Sequence, residues 1–262
     1  MTTWLRFLDF DGCAGIGTLD LNSGHVTQHY GTLFARPRRT EVSFVAEDLH
    51  LLTPCEPTKI VALHAAATTP IGASGRSRGP ELSYCIIPAL SIVGPDASIT
   101  LPKQWDSRVR CNGRLGVVIG RSTFGVSVKQ AVDAIFGFTC LNQVDAVGCP
   151  GQGGPDSRIQ HDHLPTSIVS VGPAIATANH RSSKQAFRIT TAVGRLNRRF
   201  YSLDILTSSL ADTISLLSRE VALEAGDVIA YGPRFELGPL VGNMRAEVTI
   251  EGIGTLANSL AL

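Results

Sequence analysis

The residues with chemistry to offer in this sequence crowd into a few short stretches. In "RCNGRLGVVIG", 110 to 120, Asn112 and Arg114 stand just ahead of an apolar run that ends on Gly120 and reads as a buried strand closed by a turn. A guanidinium in such a place can bind a carboxylate, an enolate or a phenolate directly. In "LNQVDA", 141 to 146, Gln143 brings an amide and Asp145 a carboxylate. Asp145 reads equally as a turn residue or arginine partner and as a catalytic group. In "QHDHLP", 160 to 165, His161 and His163 alternate, so on an extended segment they would share a face with Asp162 turned away. Two imidazoles and a distant third ligand could hold a transition metal. The stretch follows the loop-like "GCPGQGGPDSR", however, and adjacent polar residues on a loop are more often simply solvated. Asp156 and Arg158 in that loop could close it over a pocket, since its glycines permit the backbone to move.

The elements that must position these groups are mostly strands. Residues 1 to 55 alternate short apolar and polar runs with Gly, Asn and Pro between them, a small β meander with Ser23-Gly24 as a tight turn. A buried strand is expected at Ile60 to Leu63, and a surface loop at 68 to 81, rich in Gly, Ser, Pro and Arg. Two helices stand out. The first starts at Ser127 as N-cap, sets Val128, Ala131, Val132 and Ile135 on one face and stops at Gly137. The second carries Leu210, Ile214, Leu217 and Val221 in one stripe and is capped by Ser208 or Ser209.

Composition narrows the function. The 262 residues are 44% hydrophobic and 17% charged, with a net charge of +1, a globular composition without the concentrated Lys/Arg face a nucleic-acid partner needs. No run of 18 apolar residues occurs, and the start "MTTWLRFLDF" lacks a leader's basic-then-apolar order, so an unanchored cytoplasmic protein is expected. Six cysteines show no C-x-x-C pair and read as reduced core thiols, and no Gly-rich phosphate loop joins a strand to a helix.

Several segments, in order, resemble the fumarylacetoacetate hydrolase family: "LLTPCEPTKIVAL", "IIPALSIVGPDASITLP", "LGVVIG" followed by "AIFGFTCLNQVDA", then "SVGPAI", "LEAGDVIAYG" and "EGIGTLANSL". The resemblance implies a mainly β fold with some α (α+β), a mixed β-roll main domain over 56 to 262 with a small N-terminal β domain over 1 to 55, and a homodimer. It also implies, in members that hydrolyse, hydrate or decarboxylate keto acids, a divalent cation held by a Glu-x-Glu pair and an Asp, beside a catalytic His, Lys and Asp. In this sequence the Glu-x-Glu pair falls on Asn112 and Arg114, and the ligand Asp on Gln143. The family's Lys-x-x-Asp falls on His163 and Thr166, its Asn-Tyr-x-x-His on His64, Ala65 and Thr68, and its Gly-Thr-Pro loop on Gly232, Pro233 and Arg234.

A hard divalent ion needs several oxygen donors, preferably anionic. Two neutral amides supply little, and a guanidinium at about 4 Å would repel the ion by about 8 kcal/mol at an effective dielectric of about 20. The expectation is therefore an enzyme without metal or other cofactor, moving protons, cyclising or cleaving a small keto or enol substrate, in a biosynthetic setting. Arg114 would hold the anionic oxygen, with Asn112, Gln143, His64, Thr166 and Arg234 lining the substrate. His163, with Asp145, would move protons. Alternatives are a non-catalytic ligand-binding or scaffold homologue, and a metal-dependent hydrolase with His161 and His163 as unusual ligands. No nucleic-acid or membrane partner is expected.

Overall fold

Burial alternates along the first strand: in "TWLRFL" Thr3, Leu5 and Phe7 are buried while Trp4, Arg6 and Leu8 are only partly so. The computed structural model describes residues 2–64, 82–101, 109–146, 167–178, 184–195, 197–238, 240 and 242–261. The strands of the first half are β1 (Thr3–Leu8), β2 (Ala14–Leu19), β3 (His25–Tyr30), β4 (Arg38–Val45), β5 (His50–Leu51), β6 (Lys59–Leu63), β7 (Tyr84–Pro88), β8 (Ile92–Val93), β9 (Ser98–Thr100) and β10 (Val109–Ile119). Helix α1 (Val128–Ala134) leads directly into β11 (Ile135–Ala146), followed by β12 (Ile168–Thr177), β13 (Lys184–Val193) and β14 (Asn197–Leu206). Helix α2 (Thr207–Leu217), β15 (Val228–Tyr231), β16 (Met244–Ile250) and β17 (Gly254–Ala261) complete the chain.

Ten strands run in the order β4-β3-β2-β1-β12-β11-β10-β15-β6-β7, with β5 and β8 attached at the side. The N-terminal meander joins this sheet through β1, whose Thr3 pairs with Ala176 of β12. The expected turn lies between β2 and β3, where Gly24 takes φ +70°, a conformation costly for other residues. A second sheet, β14-β13-β16-β17-β9, packs on the first. Between them Leu115, Val117 and Phe138 meet Phe187, Ile189 and Val248, with Leu210, Ile214 and Leu217 of α2 closing the core. Covered on both faces, β10 is buried almost end to end, which explains its near-continuous apolar run. Among the described residues no helix is long and apolar enough to cross a membrane.

Both helices differ in detail from expectation. Ser127 caps α1 in a reciprocal capping box with Gln130, as its sequence suggests, but the helix ends at Ala134 rather than Gly137. Ile135 instead pairs with Ile119 while Gly120 N–H donates to the Ala134 carbonyl, so the sheet captures the β-branched residue before another turn can form. Gly137 serves close packing: a Cβ there would press into the Ala176 carbonyl oxygen of β12. Gly137→Ala is expected to cost about 1–3 kcal/mol, read as a lower thermal-melting midpoint. Helix α2 starts at Thr207 with Leu206 at the N-cap and no side-chain cap, so Ser208 and Ser209 lie inside it. Strand β14 runs straight into the helix and leaves no turn in which a serine could cap. Val221 is buried but lies beyond the helix end. The loops expected at 68 to 81 and 151 to 158 lie outside the described residues.

Candidate functional site

Strands β10 and β11 pair antiparallel from Val109 opposite Ala146 to Val118 opposite Gly137, setting Asn112 across from Gln143 and Arg110 across from Asp145. Residues opposite one another in such a ladder project from the same face, and alternate residues follow them. Asn112 and Arg114 therefore share a face with Gln143 and Asp145. Arg234, three residues past β15, reaches the same place and donates from Nη2 to Asp145 Oδ2 at 2.8 Å. Asp145 Oδ1 accepts from Gln143 Nε2 at 3.1 Å and from the Ser167 hydroxyl. Asp145 thus lies on a strand as an arginine partner. His64, half-buried, follows Leu63 at the end of β6, and its backbone N–H donates to Ser83 at 2.8 Å. His161, Asp162, His163 and Thr166 lie outside the described residues.

Arg114 is wholly buried. Strands β6 and β15 run parallel, Ile60 beside Val228, so their carboxyl ends lie together at one edge of the ladder. There Arg114 Nη2 donates to the Leu63 carbonyl at 2.6 Å and the Gly232 carbonyl at 2.9 Å. Its Nε and Nη1 have no partner among the described residues. Burial, with Arg234 adding to it and Tyr201, Cys85 and Asp145 opposing, pushes the guanidinium pKa down to about 10, so it remains cationic at neutral pH. Beside it the Tyr201 hydroxyl donates to the Gly113 carbonyl at 3.0 Å, and burial pushes that phenol up to about 12 despite the opposing pull of Arg114. Both amide atoms of Asn112 and Oε1 of Gln143 are also buried without partners among the described residues. Each unpaired buried group of this kind costs about 1–3 kcal/mol.

Tyr201, Ser167 and Cys85 were not legible as site residues. Tyr201 comes from the other sheet, 88 residues from its hydrogen-bond partner, and no spacing rule links the two. Cys85 sits half-buried on β7 within electrostatic reach of Asp145, Arg234 and Arg114, and burial raises its pKa. Among the described residues a cavity of about 620 Å³ is lined by Arg6, His29 and Cys55, and none of the residues around Arg114 lines it.

A divalent cation does not fit the place occupied by Arg114. The side chains there are two neutral amides, a buried guanidinium and one carboxylate, Asp145, already paired with Arg234, and among the described residues no three His, Cys, Asp or Glu side chains come together. The expected inert core thiols are found at Cys55, Cys111 and Cys140, each buried and pushed up to about 12 chiefly by burial. A thiol so shifted stays protonated from pH 7 to 9 and reacts slowly. Timed iodoacetamide labelling with peptide mapping is expected to mark exposed Cys13 before these three, which are spared until the protein unfolds.

Two facing sheets, with the polar cluster on β10 and β11 beside the ends of β6 and β15, define a mixed-β architecture. The chain belongs to the fumarylacetoacetate hydrolase family: the family model described as Fumarylacetoacetate (FAA) hydrolase C-terminal matches residues 62–261. The chain is similar to the crystal structure of a 2-hydroxyhepta-2,4-diene-1,7-dioate isomerase from Mycobacterium marinum, with 27% identity and a TM-score of 0.77 over 100% of this chain and 98% of that one. It is similar to that of a 5-carboxymethyl-2-hydroxymuconate delta-isomerase from Mycobacterium smegmatis, with 25% identity and a TM-score of 0.78 over 100% and 99%. The oxaloacetate tautomerase YisK of Bacillus subtilis is 28% identical over 226 residues, 76% of this chain and 73% of that protein.

Proposed function

We propose that this protein is a metal-independent isomerase of small keto and enol carboxylates, with the Arg114 guanidinium taking the charge-stabilising part that a divalent ion plays in metal-dependent members. The observation that carries the reading is a wholly buried guanidinium with two nitrogens unpartnered among the described residues, at the position where the family resemblance places a Glu ligand. In the direction from enol to ketone the enol O–H bond breaks, charge gathers on the oxygen, and a C–H bond forms at the adjacent carbon. Fixed donors aimed at that oxygen lower the barrier because they need no reorganisation as the charge develops. Arg114 supplies those donors, and Asp145, bound by Gln143, Ser167 and Arg234, anchors the neighbouring side chains. The proton carrier is assigned from sequence position alone to His163. The two isomerases and the tautomerase named above lend support by the chemistry in their names.

Oxaloacetate enol provides a direct test, followed by loss of its ultraviolet absorbance. Turnover is expected to survive EDTA, with well under one metal ion per chain by elemental analysis. Loss of turnover in EDTA with recovery on adding Mg²⁺ or Mn²⁺ overturns the reading.

A further inference from the structure

Only one orientation is open to the Gln143 amide. Its nitrogen lies 3.1 Å from Asp145 Oδ1, and a carboxylate paired with a guanidinium accepts hydrogen bonds and gives none. The amide NH₂ must therefore face Asp145, which turns the carbonyl oxygen, Oε1, the other way. Ser167 and Arg234 hold the carboxylate from two further sides, so the lock does not depend on Gln143 itself. Oε1 is then a buried acceptor without a partner among the described residues, on the same strand face as the unpartnered Nε and Nη1 donors of Arg114. Asn112, opposite Gln143 with both amide atoms unpartnered, can give or accept and so does not discriminate. Buried polar groups are nearly always paired, and this set has the pattern of a missing ligand: donors for an anionic oxygen beside an acceptor for a hydroxyl.

We propose that Gln143 is a specificity-determining residue, accepting the hydrogen bond that the ligand's own hydroxyl gives, while the two unpartnered Arg114 donors meet that hydroxyl's oxygen and the neighbouring carboxylate oxygen. The ligand class is then 2-hydroxy and enol carboxylates. A carbonyl oxygen at the same place would set lone pair against lone pair, and a ligand without the hydroxyl would leave Oε1 unpaired. The inference rests on the reading of Arg114 as the anion-binding group.

Malate and succinate, which differ by one hydroxyl, separate the two claims by isothermal titration calorimetry at pH 7. The wild-type protein is expected to bind one enantiomer of malate about tenfold more tightly than succinate, equivalent to about 1.4 kcal/mol. Gln143→Met is expected to reduce that preference below about twofold while succinate affinity changes by less than about threefold. Retained succinate binding also shows that the variant folds. Equal binding of malate and succinate by the wild type overturns the role of Gln143 and leaves the Arg114 reading standing. Binding that keeps its malate preference in Gln143→Met overturns the role as well. No measurable binding of either acid overturns both.

Discussion

Replacing Arg114 with methionine is expected to lower kcat/KM for enol–keto interconversion by about 10²- to 10³-fold, the loss found when a fixed oxyanion donor is removed, without lowering stability. The two halves of this result have one cause. A guanidinium whose pKa burial pushes down to about 10 bears a cost on the order of 3 kcal/mol in the folded state. The folded chain gives up the proton near pH 10 and the unfolded one only at higher pH, so stability recovers as pH rises above about 10. At pH 7 both forms are protonated and the cost is present in full. Methionine removes it but leaves the carbonyls of Leu63 and Gly232 without their donor, at about 1–3 kcal/mol for the buried Leu63 carbonyl and nearer the lower figure for the part-buried Gly232. The terms nearly cancel, so the melting temperature should stay within a few degrees of wild type or rise. Arg114→Lys keeps the charge but offers a point donor on a shorter reach, and is expected to recover part of the lost activity. A fall of more than about 10 °C in Arg114→Met would show that the guanidinium holds the strand ends together and that its charge is incidental.

Asn112, Arg114 and Gln143 were gathered from the sequence by the family resemblance alone, and β pairing is what converts their spacing into geometry. Asn112 and Arg114 fall two apart on one strand, Gln143 and Asp145 two apart on the next, and an unbroken antiparallel register brings all four to one face. Ser127 was legible for a local reason, since a capping box is a contact between residues three apart. Long-range choices were not. Arg234 finds Asp145 across 89 residues, and nothing in either neighbourhood selects that pairing over a solvated alternative. The carbonyls that accept from Arg114 belong to Leu63 and Gly232 only because β6 and β15 lie parallel and end together, a fact of topology that no side-chain pattern records. The ends of the two helices were misplaced for a related reason: the strands adjoining them, Ile135 in β11 and Leu206 in β14, are fixed by partners far along the chain.

That parallel pairing has its own anchor at the opposite end, and its removal is expected to be the most destabilising change in the protein. Asp227, wholly buried just ahead of β15, accepts at Oδ1 from the Thr58 N–H at 2.9 Å, the Thr58 hydroxyl at 2.8 Å and the Lys59 N–H at 3.1 Å. Its Oδ2 accepts from the Glu224 N–H at 2.8 Å and pairs with Lys59 Nζ at 2.6 Å. One carboxylate therefore satisfies the start of β6 and the turn before β15, fixing Ile60 beside Val228. Asp227→Ala takes the acceptor from three backbone N–H groups, the Thr58 hydroxyl and the partly exposed Lys59 ammonium at once. The expected cost is about 3–5 kcal/mol, or about 10 °C in melting temperature for a chain of this size. Lys59→Met supplies the comparison that identifies the cause. It removes the ammonium, whose side chain is 18% exposed, but leaves the carboxylate four other donors, so it should cost about 1–2 kcal/mol. If the two variants melt at the same temperature, the ion pair alone holds the strands in register and the backbone contacts of Asp227 contribute nothing measurable.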